Sequence, residues 1–265
     1  LPLRDWIGRL KETAPYFGQY LDNQNDGPYW WPINLLRHVQ SITVPMLHVS
    51  SWYDIFLEGA LNAYQAIREH GGNELARRNQ KLLIGPWAHI RPYTAPTSGE
   101  TGDIDFGPEA RIELHESLLR WFDYWLKDIE AGYMDQPPVR IFVMGENWWR
   151  DEQEWPLART EYVKYHLRDG GGLSTEPPGQ SAQPALYTYD PRQPVPTVSA
   201  TSALSGSRAY RNAIFGEGGA HQKETPGLVG AKAPYPLLAD RPDVLLFQTE
   251  PLEGDMEVTG PIDVF

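Results

Sequence analysis

An aspartate and a histidine stand where together they could activate a hydroxyl. Asp54 closes the stretch Val44-Pro45-Met46-Leu47-His48-Val49-Ser50-Ser51-Trp52-Tyr53, and His89 closes Lys81-Leu82-Leu83-Ile84-Gly85-Pro86-Trp87-Ala88. A serine hydroxyl is a weak nucleophile at neutral pH and needs a base to take its proton. Histidine suits that task, with an unperturbed pKa of about 6.5. A buried carboxylate on the other ring nitrogen holds one tautomer and stabilises the imidazolium. The residues alone leave two simpler roles open. Asp54 could cap a helix that starts near Ile55 to Leu57, and His89 could be an ordinary loop histidine.

The elements that carry the two residues bear on that choice. The apolar run after Pro45 reads as a buried strand. Leu57, Ala60, Leu61, Tyr64 and Ile67 recur at helical spacing, and Gly71-Gly72 fits a stop. Lys81 to Gly85 is a second apolar run. Strand, helix and strand at this length form a crossover, so the two strands are expected to be parallel. Asp54 then follows the first strand and His89 the second, where open α/β sheets gather their functional groups. Acid before base is also the chain order of the Ser…Asp…His triad in α/β-hydrolases. The serine would precede both on a G-x-S-x-G elbow, and no such pattern occurs in the 265 residues. His48, Tyr53 and Glu58 lie close by in sequence and read as supporting or core residues.

Composition narrows the class. The chain is 41% hydrophobic and 12% aromatic, which is ample for a packed core and too apolar for disorder. Its net charge of −12 offers no footprint for nucleic acid or an anionic membrane. Solubility is the simpler reading of that acidity. No run approaches a membrane helix, and the first residues carry no signal-peptide pattern. A cytoplasmic location is the expectation. The absence of cysteine excludes disulfides, thiolate metal sites and a cysteine nucleophile. No cofactor or metal is expected. Asp103, Asp105 and Glu109 lack the spacing of a calcium loop and read as solvated.

Along the chain, residues 1–40 look helical and amphipathic, with Pro15 as an interruption and a turn cluster at Asn23 to Pro28. The Tyr29-Trp30-Trp31 run reads as filler for a seam. Residues 91–107 read as a loop. A long helix is expected from Pro108, with an apolar stripe through Ile112, Leu118, Leu119, Phe122, Trp125, Leu126 and Ile129 that packs on the sheet. Gly132 would cap it and His115 would be a packing residue. Character changes at Gln136-Pro137-Pro138, after which residues 136–265 read as an all-β sandwich. Strands are expected at 139–145, 162–167, 243–249 and 256–259. So few strands cannot close a two-sheet sandwich, which typically has about seven or eight. The sequence therefore reads as truncated at both ends.

Four motifs in order resemble the cocaine esterase and X-Pro dipeptidyl-peptidase family of serine hydrolases, its CocE/NonD branch in particular. They are Val44-Pro45 with Trp52-Tyr53-Asp54-Ile55-Phe56, then Ile84-Gly85-Pro86-Trp87-Ala88-His89. The third is Val139-Arg140-Ile141-Phe142-Val143-Met144-Gly145 with Trp149-Arg150-Asp151-Glu152 and Trp155-Pro156. The fourth is Arg241-Pro242-Asp243 with Glu257-Val258-Thr259-Gly260-Pro261. The resemblance implies an α/β fold plus an all-β part. Residues 1–40 would end a helical cap, 41–135 would be the C-terminal part of an α/β-hydrolase domain, and 136–265 would open a jelly-roll β-sandwich. It implies that Asp54 and His89 are catalytic and that Phe56 and Trp52 bind substrate, Phe56 by lining the acyl pocket. Ser50-Ser51 departs from the family's usual glycine pair. The nucleophile and an oxyanion tyrosine would lie before Leu1.

The partners implied are a small-molecule ester or amide and the missing N-terminal and C-terminal parts of the same protein. A homo-oligomer is compatible with the chain. Two other readings remain at this point. One is an amide-cleaving relative, a dipeptidyl peptidase or a β-lactam or glutaryl acylase. The other is a non-catalytic binding protein that displays Trp148, Trp149 and Trp155.

Overall fold

The computed structural model describes residues 2–88, 100–101, 104–180, 182–196, 222–224 and 231–265. The chain divides into two compact units, one of Leu1–Pro45 with Gln65–Asn79 and one of Met46–Tyr64 with Gln80–Phe265.

Short helical pieces make up the first unit. These are α1 (Ile7–Leu10), α2 (Phe17–Asp22) and 3-10 turns at Leu3–Trp6, Trp31–Ile33, Leu35–Arg37 and Val39–Ser41. Pro15, Pro28 and Pro32 keep the amphipathic pattern from becoming one long helix. Tyr29 and Trp30 meet edge to face at 4.8 Å, and Tyr20 packs on Trp30 at 5.1 Å. The last residues of α3 (Leu57–His70) and all of α4 (Glu74–Arg78) belong to this unit. Here Ile67 and Ala76 are fully buried. Asn73 caps α4 by accepting from the Ala76 amide at 2.7 Å. The Gly72 amide donates to the Ile42 carbonyl at 2.8 Å, so the Gly71-Gly72 stop also fastens the chain.

A four-stranded sheet organises the second unit. Its order is β1 (Met46–Tyr53), β2 (Gln80–Ala88), β5 (Val139–Val143) and β6 (Trp148–Glu152). The β1–β2 and β2–β5 pairs are parallel, and β5–β6 is an antiparallel hairpin. The strand–helix–strand expectation is thus met. The sheet also runs on past the Pro-Pro segment, because Leu82 to Ile84 pair with Val139 to Ile141. Lys81 secures this passage. Its buried ammonium donates to the Gln136 carbonyl at 2.6 Å and to that of Pro137 at 3.3 Å. Burial pushes its pKa down, against the pull of Asp151 and Asp135.

Alternation gives the sheet two covered faces. On one, Leu82, Ile84, Val139 and Ile141 pack with Tyr64, Trp155 and Leu157, and with Leu57 and Leu61 of α3. On the other, Phe142 packs with Phe106 and Ala110, flanked by Tyr53 and Trp149. Between β2 and β5 the chain forms a short ribbon of β3 (Glu100–Thr101) and β4 (Ile104–Asp105).

The expected long helix differs at both ends. Pro108–Ala110 is a 3-10 turn, and α5 runs only over Leu114–Lys127. The cause is tertiary. The Trp149 indole donates to the Glu109 carbonyl at 2.7 Å and the Trp87 indole to the Ala110 carbonyl at 2.9 Å. Those are the acceptors that a continuing helix would use for residues 113 and 114. At the other end Asp128, not Gly132, takes the left-handed conformation (φ 57°) that closes the helix. A short polar side chain tolerates that conformation. The stripe through Leu119, Phe122, Leu126 and Ile129 is exposed rather than packed on the sheet, and His115 is exposed too.

Beyond the sheet, β7 (His166–Arg168) and β8 (Gly172–Ser174) pair as a hairpin. Gln248 joins its edge through the Leu173 amide at 2.7 Å and the Gly171 carbonyl at 2.9 Å. The strands expected over 243–249 and 256–259 do not form beyond that bridge. Among the described residues no neighbouring strand lies beside them, and Leu245, Leu246, Met256 and Val258 are exposed. Ion pairs hold these segments instead. Arg241 binds Asp243 at 2.7 Å and buried Glu224 at 2.6 Å. Arg150 grips Glu257 with two hydrogen bonds of 2.9 and 2.6 Å, which brings together parts of the third and fourth motifs.

Candidate active site

The carboxyl ends of β1 and β2 define the candidate site. Their register runs in step to Ser51 opposite Gly85, then shifts so that Tyr53 lies opposite Ala88. One extra residue on β2, within Pro86-Trp87-Ala88, makes a bulge. Bulges re-aim the chain and are frequent beside active sites. Gly85 permits this one. A Cβ at that position would stand 2.5 Å from atoms of the Trp87 ring, which folds back over the backbone.

Asp54 sits in the turn that joins β1 to α3. Its amide donates to the Ser51 carbonyl at 3.0 Å, and its carbonyl accepts from the Leu57 amide at 3.2 Å. Its Oδ1 accepts from the Phe56 amide at 2.8 Å. That bond, to the amide two residues on, fixes the carboxylate at the head of α3. His89 lies outside the described residues, and Ala88 before it is the last residue of β2.

The other residues expected near the site divide by environment. Phe56 is 62% exposed and Ile55 beside it 42%, so an apolar surface flanks Asp54 at the start of α3. Trp52 is half-buried, with its indole donating to the Phe142 carbonyl at 2.7 Å and its ring tilted against Trp155 at 5.9 Å. Tyr53 stacks on Phe106 at 6.4 Å, and burial pushes its pKa up. His48 is a core residue. Its Nε2 bonds the Gln80 Oε1 at 2.8 Å, it meets Tyr64 edge-on, and burial pulls its pKa down. Glu58 is exposed. Ser50 and Ser51 are buried, and neither hydroxyl has a hydrogen-bond partner among the described residues.

The tryptophan platform is not formed. Trp155 is buried in the core and Trp149 packs between Trp87 (5.6 Å) and Phe142 (5.3 Å), which leaves Trp148 exposed alone. Of the acidic cluster, Asp105 accepts from the Gly107 amide at 2.8 Å, and Asp103 lies outside the described residues. Among the described residues no group of three His, Cys, Asp or Glu side chains is placed to hold a metal ion. None of their helices is long and apolar enough to cross a membrane. Sequence reasoning missed the pairing of Trp87 and Trp149 with the 108–110 turn. Its one visible trace is the density of tryptophan in the second and third motifs.

Comparison with known proteins gives the same direction. The family model of the X-Pro dipeptidyl-peptidase (S15 family) matches residues 3–91. That of the X-Pro dipeptidyl-peptidase C-terminal non-catalytic domain matches residues 131–265. The cocaine esterase of Rhodococcus sp. (strain MB1 Bresler) is 28% identical over 97% of this chain, and the chain spans 40% of that esterase's length. Among solved structures, an α-amino acid ester hydrolase aligns with a TM-score of 0.58 at 28% identity, over 71% of this chain and 31% of its own. An aminopeptidase from a marine sediment Thaumarchaeota archaeon shares the fold, with a TM-score of 0.67 at 21% identity over 94% of this chain and 38% of its own.

Proposed function

The chain belongs to the X-Pro dipeptidyl-peptidase and cocaine esterase family of hydrolases, and we propose that it supplies the acid and base of a serine hydrolase that cleaves carboxylic esters. In this reading a serine outside these 265 residues is the nucleophile. His89 takes the proton from its hydroxyl as the oxygen attacks the ester carbon, then passes that proton to the leaving alkoxide. The acyl-enzyme is resolved by water, with His89 again the base. Asp54 holds the imidazole in one tautomer and stabilises its charged form. Phe56 and Trp52 offer apolar surface to the substrate. Residues 41–135 would be the hydrolase part and 136–265 the start of a jelly roll. The enzyme would act on small molecules in the cytoplasm.

The observation that carries this reading is the parallel register that sets Tyr53 opposite Ala88. The residue after Tyr53 is the candidate acid and the residue after Ala88 the candidate base, and the two strand ends that precede them are paired. A second reading, cleavage of an amide, is favoured by the peptidase description of the matching family models. The test uses the full-length protein with 4-nitrophenyl acetate and an X-Pro 4-nitroanilide. His89→Ala and Asp54→Asn should each lower kcat/KM about 10⁴-fold with the fold retained. Activity near wild type in folded His89→Ala protein would rule the assignment out. Faster turnover of the anilide than of the ester would select the amide reading.

A further inference from the structure

Two indoles grip one turn at the carboxyl edge of the sheet. Trp87, the penultimate residue of β2, donates to the Ala110 carbonyl at 2.9 Å. Trp149, from β6, donates to the preceding carbonyl, that of Glu109, at 2.7 Å. The rings support each other at 5.6 Å, and Phe142 closes on Trp149 at 5.3 Å. Trp87 is 1% exposed, and its ring covers Gly85 so closely that no Cβ fits there. Phe106, 3% exposed, packs between Tyr53 and Phe142. The knot therefore touches Tyr53, one residue before Asp54, and contains Trp87, two residues before His89.

We propose that Trp87 and Trp149 form a two-indole clamp on the consecutive carbonyls of Glu109 and Ala110, and that this clamp sets the direction in which β2 delivers its last residues and so positions the base. Both are positioning residues, and the proposal rests on the assignment of His89 as base. The bulge is the reason that a clamp is needed. Where the register slips by one residue, the ladder is interrupted between Gly85 and Ala88. Pro86 has no amide to contribute there. Side-chain bonds to carbonyls outside the sheet replace that constraint. Burial makes them matter, because a buried indole N–H without an acceptor is costly. Reactivity tolerates little misplacement, so a loosened base lowers turnover without touching substrate affinity.

The test measures kcat and KM for 4-nitrophenyl acetate, and the thermal midpoint, in the full-length protein. Trp149→Phe keeps an aromatic ring against Trp87 and Phe142 but removes the donor to Glu109. Trp87→Phe does the same to Ala110. Each should lower kcat about 5- to 10-fold, the effect of one lost hydrogen bond on the clamped population, with KM within about 2-fold. Trp148→Phe, an exposed neighbour on the same strand, should leave both constants unchanged. Should a variant prove unstable, the rate of fluorophosphonate labelling per folded molecule reads the same property and should fall by the same factor. Wild-type kcat in both clamp variants, whatever happens to their thermal midpoints, overturns the clamp while His89→Ala remains inactive. An active His89→Ala protein instead removes the assignment beneath it.

Discussion

Replacing Gly85 by alanine should destabilise the protein through a ring that has nowhere to go. The new Cβ would stand 2.5 Å from three atoms of the Trp87 ring, where carbon contacts are comfortable at about 3.5–4.0 Å. Relief requires the ring to move by about 1 Å or more. That ring is 1% exposed, hydrogen-bonded to Ala110 and packed on Trp149. Overpacking in such surroundings costs about 1–3 kcal/mol, and loss of the Ala110 bond adds about 1 kcal/mol. The ordinary advantage of alanine over glycine in a strand returns about 0.5–1 kcal/mol. The net expectation is a loss of about 1–3.5 kcal/mol, or a fall of about 2–14 °C in Tm for a chain of this size. Urea unfolding at constant slope measures it. A change within about 0.5 kcal/mol of zero would show that the ring yields freely and would refute the packing argument.

Glu257→Gln should weaken the attachment of the C-terminal segment to β6. The hydrogen bonds from Arg150 hold the Glu257 carboxyl at about 2 rather than 4.5. Because the folded value is the lower one, this stabilisation is complete above pH 4.5 and is lost as pH falls towards 2. The side chain is 46% exposed, so screening reduces the effect to about 1 kcal/mol. Acid unfolding should be flatter over that window in the variant, and an unchanged curve would count against the ion pair. His48 acts in the same sense at higher pH. Burial lowers its folded pKa, so stability should decline as pH drops below about 6.5, and His48→Leu should remove that decline in urea titrations at pH 7 and pH 5.

The sequence reveals what is periodic and hides what is paired at a distance. The β1–α3–β2 unit was readable because Leu57, Leu61 and Tyr64 recur on one helical face between two short apolar runs, and they pack on Leu82 and Ile84. Helix α5 starts later than its sequence pattern suggests because two tryptophans from other strands take the carbonyls of residues 109 and 110. It ends earlier because Asp128 adopts a conformation more often assigned to glycine. The alternating patterns after residue 242 resemble strands, yet alternation specifies a face and not a neighbour. Of the site, Asp54 could be placed after a strand from sequence alone. Its bond to the Phe56 amide, the bulge opposite Tyr53 and the indole clamp are tertiary facts without a local signature.

The central claim is that His89, oriented by Asp54, activates a serine nucleophile. It is tested most directly by intact-mass analysis of the full-length protein after exposure to a fluorophosphonate. The account predicts one covalent adduct on a serine in the wild type, and almost none over the same time in folded His89→Ala and Asp54→Asn proteins. An adduct formed at the wild-type rate in His89→Ala would contradict it.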